Sequence, residues 1–216
     1  MRIVSDIYRK LYDFYGPQHW WPGDTPFEIA VGAILTQNTN WSNVEKAIRN
    51  LKEHNALTPQ AIHTMALREF AELIRPAGYY NIKAKRLKSF MQCLVNDFHG
   101  SMERMKHRDV SALRAILLSV NGIGPETADS ILLYALGKPV FVIDAYTRRV
   151  LSRHGILEYR RPYEEYQTLF HESLKKDPAF YNEYHALFVR VGKTYCKKQN
   201  PLCRQCPLEA LLLRRL

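Results

Sequence analysis

The chain has 216 residues, a formal net charge of +10, 46% hydrophobic and 24% charged residues, and a pI near 9.5. That length allows one large domain or two small ones with a sizeable core, and the basic balance favours a polyanionic partner. No run of about 20 apolar residues argues for a membrane span, and the amino terminus lacks a signal-peptide pattern, so a soluble, intracellular protein is expected.

Apolar residues recur at helical spacing almost throughout, and the expected fold class is all-α. Phe27 to Gln37 reads as a buried helix, followed by a polar break at Asn38 to Asn40 and an amphipathic helix from about Trp41 to Glu53. Thr58 and Pro59 supply a cap and first turn, Leu67 to Ile74 a further helix, and Pro76 and Gly78 a break. Asn81 to Phe98 forms a long helix with Gly100 as its stop, and Asp109 caps another ending near Leu118. Pro125 to Leu136 is helical and ends at Gly137; Lys138 to Ile143 is β-prone but isolated, and reads as an extended connector. Asp144 caps a helix from Ala145 to His154, and later helices run near Pro162 to Lys175 and from Pro178 to about Thr194. Long linkers, repeats and low-complexity segments are absent from this pattern.

The helix ending near Leu118, the turn Asn121 to Gly124 and the helix from Pro125 together make a helix-hairpin-helix. In it Gly122 and Gly124 are expected to take positive φ and let the backbone approach a ligand, so that hairpin amides can bind a DNA phosphate without reading a base. A Gly-x-Gly turn alone also serves as a simple helix connector. Some twenty residues on, Asp144 stands by itself behind Val140, Phe141, Val142 and Ile143. Taken alone it could equally be only a helix cap. Lys and Arg recur in KAKRLK at 83–88 and in pairs at 148–149, 160–161, 175–176 and 197–198, which suits a basic face better than a disordered tail. Cys93 lies in a helical pattern, whereas Cys196, Cys203 and Cys206 cluster as a metal site would rather than as a disulfide framework.

These motifs, with FEIAVGAILTQNTNW at 27–41 and RPAGYYNIKAKRLK at 75–88, resemble the helix-hairpin-helix DNA glycosylases of the endonuclease III superfamily over nearly the entire chain. The resemblance implies two helical lobes with the active site in a cleft: a bundle over 18–137 that holds the hairpin, and a discontinuous lobe of 1–17 and 138–216. Asp144 matches the family's carboxylate, which stabilises positive charge on the sugar or activates the attacking molecule as the N-glycosidic bond breaks. Gly122, Ile123, Gly124 and Thr127 match the DNA-binding hairpin. Members that also cut the backbone carry a Lys in a pattern like GVGRKTA; this chain reads GIGPETA, with Glu126 in the Lys position. Glu cannot form a Schiff base, so a monofunctional glycosylase is expected.

Trp20, Trp21 and Pro22, the run Thr36 to Thr39 with Trp41, Glu126, and Gly78, Tyr80, Asn81, Lys83, Ala84 and Lys85 are most similar to the 3-methyladenine glycosylase branch. A purine alkylated at N3 or N7 is cationic and a good leaving group, so an aromatic pocket of Trp20, Trp21 and Trp41 could select it by stacking and cation-π attraction. On a plainer view these rings are core. Base flipping leaves a gap; by resemblance Gln37 wedges into it and Tyr79 or Tyr80 presses on the opposite strand. Lys83, Lys85, Arg86, Arg148 and Arg149 would hold flanking phosphates, although a solvated helix face also explains them.

The expected partner is duplex DNA with damaged bases, bound by a monomer in the cytoplasm or nucleoid. Two other readings stay open: an endonuclease III-like glycosylase for oxidised pyrimidines or mismatches, and a non-catalytic DNA-binding module. The superfamily's iron–sulfur motif has a fourth Cys where this chain has Leu212. The alternatives are a 4Fe–4S cluster with an unusual fourth ligand, His185 being one candidate, zinc with three Cys and another donor, or no metal.

Overall fold

The computed structural model describes residues 2–20 and 23–212. Among these residues twelve α-helices follow in chain order: α1 (Arg2–Tyr15), α2 (Pro26–Leu35), α3 (Trp41–Glu53), α4 (Pro59–Thr64), α5 (Leu67–Leu73), α6 (Tyr80–Phe98), α7 (Met102–Lys106), α8 (Val110–Ser119), α9 (Pro125–Ser130), α10 (Ala145–Arg153), α11 (Tyr163–Ser173) and α12 (Pro178–Thr194). No strand occurs among the described residues, so the chain is all-α. The described residues divide into two compact units: those up to Trp20 together with those from Pro139 on, and the stretch between them ending at Lys138.

Local chemistry explains most helix starts. Thr25, Thr58 and Asp177 each accept a backbone N–H three residues on while a proline fills the next position. Asn40 caps α3 and Asp109 caps α8 in the same manner. The hydroxyl or carboxylate thus satisfies a donor that the helix leaves open, and proline there loses no bond. The α2 helix stops two residues before Gln37: Thr36 Oγ1 donates to Gly32 O at 2.6 Å, and Asn38 turns left-handed at φ 55.

In the middle unit, α2 is buried on nearly every face and packs on a π-helical turn, Ile131–Ala135, that continues α9. Trp41 is half-buried, its ring lying 3.4 Å from where a Cβ on Gly32 would sit. A partly buried ion pair joins α8 to α9: Arg114 Nε donates to Asp129 Oδ1 at 2.7 Å and Nη2 to Oδ2 at 3.2 Å. Lys83 corrects the expectation of a phosphate contact. It is 1% exposed, and its ammonium donates to Leu35 O at 2.8 Å and Ala77 O at 2.7 Å. Burial first, then the charge of Arg86, brings its pKa down to about 8.

The other unit has an aromatic core. Phe141 stacks on Phe170 with centroids 3.8 Å apart, Tyr184 stacks on Phe188 at 4.8 Å, and Tyr184 Oη donates to Val4 O at 2.6 Å. The β-prone connector is extended, and side chains of α11 take the place of a partner strand. Phe141 N donates to His171 Nε2, Gln167 Nε2 donates to Phe141 O, and Ile143 N donates to Tyr163 Oη. Buried backbone polar groups need partners from some source, and here a helix provides them.

Candidate active site

The hairpin joins α8 to α9 through residues 120–124. Gly122 takes φ 86, and a Cβ there would come within 2.2 Å of Arg86 Cγ, so both backbone and packing demand glycine. Gly124 departs from the expected positive φ: it lies at φ −93 as the cap of α9, with nothing within 4 Å of a Cβ built on it. Its want of a side chain leaves open, exposed space at the helix start. Ile123 and Thr127 are buried, and Ile123 N donates to Val120 O within the turn. These two residues hold the hairpin's shape, and the expectation of direct DNA contact narrows to Gly122 and Gly124.

Gln37 is tied to that hairpin. Its Nε2 donates to Gly122 O at 3.0 Å and to Thr127 Oγ1 at 2.9 Å, while Oε1 accepts from Arg86 Nη1. In this state its amide fastens the end of α2 to the turn. Arg86 is engaged on the same amide. Tyr79 stands apart, 68% exposed and left-handed at φ 47 immediately after Gly78 at φ 67. A large residue rarely takes that backbone region, and the conformation projects its ring into solvent. Tyr80 is half-buried beneath the Arg75 guanidinium, 5.7 Å from its ring centroid. Lys85 is exposed.

Asp144 caps α10 from the other unit. Its Oδ1 accepts from Thr147 N at 2.7 Å, and its Oδ2 lies 3.6 Å from His185 Nε2. Both side chains are buried. At 3.6 Å this is an electrostatic contact longer than a direct hydrogen bond. Burial lowers the His185 pKa, and the nearby Asp144 charge opposes that only in part. Trp20 stacks on the imidazole with centroids 5.8 Å apart at 24°, and its carbonyl accepts from Asn182 Nδ2 at 3.4 Å. A buried carboxylate, a neutral-leaning imidazole and an indole therefore meet at one helix start. Trp21 lies outside the described residues.

His185, a candidate metal ligand by sequence, instead lies against Asp144, Trp20 and Phe141. Its proximity to Asp144 could not be found from spacing, because α12 brings it in from a distant part of the chain. Arg148 and Arg149 also work inside this unit. Arg148 lies 4.8 Å over the Tyr166 ring and donates to Arg161 O at 2.8 Å; Arg149 donates to Cys196 O at 2.5 Å and Gly192 O at 3.3 Å. Glu126 is exposed at the start of α9, and Lys138 Nζ donates to Arg108 O at 3.0 Å.

Cys196, Cys203 and Cys206 line one cavity, with Arg153, His154 and Leu212 among its other walls. Arg153 Nη1 donates to Cys196 Sγ at 3.2 Å and to Lys197 O at 2.7 Å. No group of three or more His, Cys, Asp or Glu among the described residues is arranged to hold a single metal ion. Cys93 is separate, in the middle of α6.

Residues 31–176 match the HhH-GPD superfamily base excision DNA repair protein family. A proposed DNA repair glycosylase of Methanocaldococcus jannaschii is 48% identical over 98% of this chain and 96% of its own length. Endonuclease III of Thermotoga maritima is 29% identical over 96% and 91%. Among solved structures, the Helicobacter pylori 3-methyladenine DNA glycosylase bound to 1,N6-ethenoadenine is 31% identical, with a TM-score of 0.76 over 88% of this chain and 97% of that one. An endonuclease III–DNA complex shares the fold at a TM-score of 0.83, over 98% of this chain and 94% of that one at 22% identity. With a hairpin, a capping carboxylate and a match over most of its length, the chain belongs to the HhH-GPD superfamily of base excision DNA repair proteins, within the wider endonuclease III superfamily.

Proposed function

We propose that the protein is a monofunctional DNA N-glycosylase that hydrolyses the N-glycosidic bond of alkylated purines, 3-methyladenine first among them. The observation that carries this reading is Asp144, a buried carboxylate whose Oδ1 is fixed by Thr147 N and whose Oδ2 faces His185. Phosphate binding alone has no use for such a group. As the C1′–N bond breaks, the base leaves with the bonding pair, which neutralises its positive charge. Water forms the new C1′–O bond, and its proton passes to Asp144. The carboxylate also stabilises the oxocarbenium-like sugar, where charge develops in the transition state.

Alkylated purine as substrate is supported by the likeness to the 3-methyladenine glycosylase over most of both chains, and by Trp20 beside the Asp144–His185 pair. A cationic base needs little help from a general acid, and an aromatic face attracts it by roughly 0.5–2 kcal/mol. Exposed Glu126, at the place of the lyase Lys, supports hydrolysis without strand cleavage. We assign Tyr79 rather than Tyr80 to the opposite strand, because Tyr79 is the exposed ring. Gly122 and Gly124 are assigned to a phosphate, Gln37 to the gap left by the flipped base after release from the hairpin, and Lys85 to a flanking phosphate. The protein acts on duplex DNA as a monomer.

Endonuclease III of Thermotoga maritima, similar over nearly the same span, favours a second reading in which the protein excises oxidised pyrimidines or mismatched bases. One experiment separates the two. Duplex DNA carrying alkylated purines, thymine glycol or a mismatch is incubated with the protein and with Asp144→Asn, and released bases and alkali-labile sites are measured. Release of 3-methyladenine, reduced at least about 100-fold in Asp144→Asn, is expected. Equal activity of the variant removes Asp144 from catalysis, and strand nicking trapped by borohydride overturns monofunctionality.

A further inference from the structure

The cavity around Cys196, Cys203 and Cys206 is also lined by His154 and by the exposed Glu209, and of these two it is the buried imidazole that lacks a full set of partners. His154, at the C-terminal end of α10, is 5% exposed, lines the same cavity, and its Nδ1 has no hydrogen-bond partner among the described residues. A buried nitrogen left without a partner costs free energy, and a ring nitrogen with a lone pair is also a good metal ligand. Leu212, in the place of the superfamily's fourth cysteine, lines the cavity but offers no lone pair. The ring also hydrogen-bonds the Leu211 backbone, and the three thiols with the unsatisfied imidazole nitrogen make a donor set that fits an iron–sulfur cluster. A cluster suits this set because its three thiols follow the spacing of the superfamily's iron–sulfur motif, and each ligand of such a cluster binds a different iron.

We propose that His154 is the fourth protein ligand of a 4Fe–4S cluster held by Cys196, Cys203 and Cys206. Imidazole replaces thiolate on iron in Rieske centres, so the chemistry is open to it. Arg153, which donates to Cys196 Sγ, would offset thiolate charge from outside the cluster. The proposed ligand stands at one end of α10 and Asp144 caps the other, so the cluster would brace the helix that carries the carboxylate. The assignment of His154 does not depend on the substrate proposed above, and its test does not use glycosylase activity.

The full chain is prepared without oxygen and reconstituted with iron and sulfide. Iron, zinc and acid-labile sulfide are then measured, with visible absorbance and pulsed EPR of the reduced protein. The expected result is a cluster whose EPR signal shows hyperfine coupling to an imidazole nitrogen. His154→Cys should keep the cluster, lose that coupling and lower the reduction potential. His154→Ala should lose most of the iron, and His154→Ala with Leu212→Cys should regain it. Circular dichroism establishes that each variant is folded, and His154→Cys serves where His154→Ala is not. A chain that binds no iron, a chain that binds zinc alone, or a cluster without nitrogen coupling overturns the proposal.

Discussion

Gly122 and Gly124 look alike in the sequence and have different reasons to be glycine. At Gly122 any side chain meets both a left-handed backbone and the Arg86 stem that serves Gln37. Gly122→Ala should therefore cost about 1–3 kcal/mol of stability, visible as a lower urea midpoint, and should weaken DNA binding as well. Gly124→Ala meets no protein atom within 4 Å, so its melting should barely change while DNA affinity drops. Equal stability losses in the two variants would undo the distinction. Asp144 was legible in the sequence as a polar residue in an apolar run ahead of a helix. His185 was legible only as a histidine on an apolar helix, since nothing local signals a partner supplied by tertiary folding.

His185 also has a pH consequence. Its folded pKa lies below the unfolded value of about 6.5, so the folded state binds fewer protons near and below that pH. Stability from this group is complete above pH ~6.5 and is lost as pH falls through the folded pKa. Urea midpoints of the wild type should decline from pH 7.5 to 5, and His185→Gln should show a smaller decline. Identical slopes would mean that His185 is not held neutral by burial.

At the scale of elements, one close approach sets how α10 lies on α12. A Cβ on Gly192 would come within 2.3 Å of Tyr146 Cδ1 and 2.8 Å of Tyr146 Cβ, and the atom nearest the backbone cannot swing away. Gly192→Ala should force the helices apart, at about 1–3 kcal/mol in thermal unfolding, and should reduce glycosylase turnover by displacing Asp144. Retained stability and turnover would show that the helices tolerate the shift. Helix starts such as Thr58-Pro59 and Asp177-Pro178 are legible in the sequence because caps act within one turn. The extended connector at 138–143 is legible in the sequence, but what satisfies it is not, because His171, Gln167 and Tyr163 come from another helix. Lys83 was misplaced for a related reason: its neighbours Lys85 and Arg86 suggest a basic stripe, whereas its position on α6 turns it inward to two carbonyls.

For the whole molecule, the charge of +10 predicts salt-sensitive DNA binding, but the formal sum overstates the number of cations a duplex can meet. Lys83 is spent on Leu35 O and Ala77 O, Arg114 on Asp129, Arg149 on Cys196 O and Arg153 on the cysteine loop. Each phosphate neutralised contributes about −0.9 to the slope of log affinity against log salt concentration. Lys85, exposed near the start of α6, is assigned to one phosphate, so Lys85→Ala should lower that slope's magnitude by about 1 in fluorescence anisotropy titrations, with little change in melting. Lys83→Ala should leave the slope unchanged for the fraction that remains folded. It should instead lose about 2–4 kcal/mol of stability, because two buried carbonyls lose their donor and a long buried side chain leaves space behind. The opposite pattern, in which Lys83 changes the slope and Lys85 the melting, would mean that the inward and outward faces of α6 are exchanged, and with them the side of the helix that meets DNA.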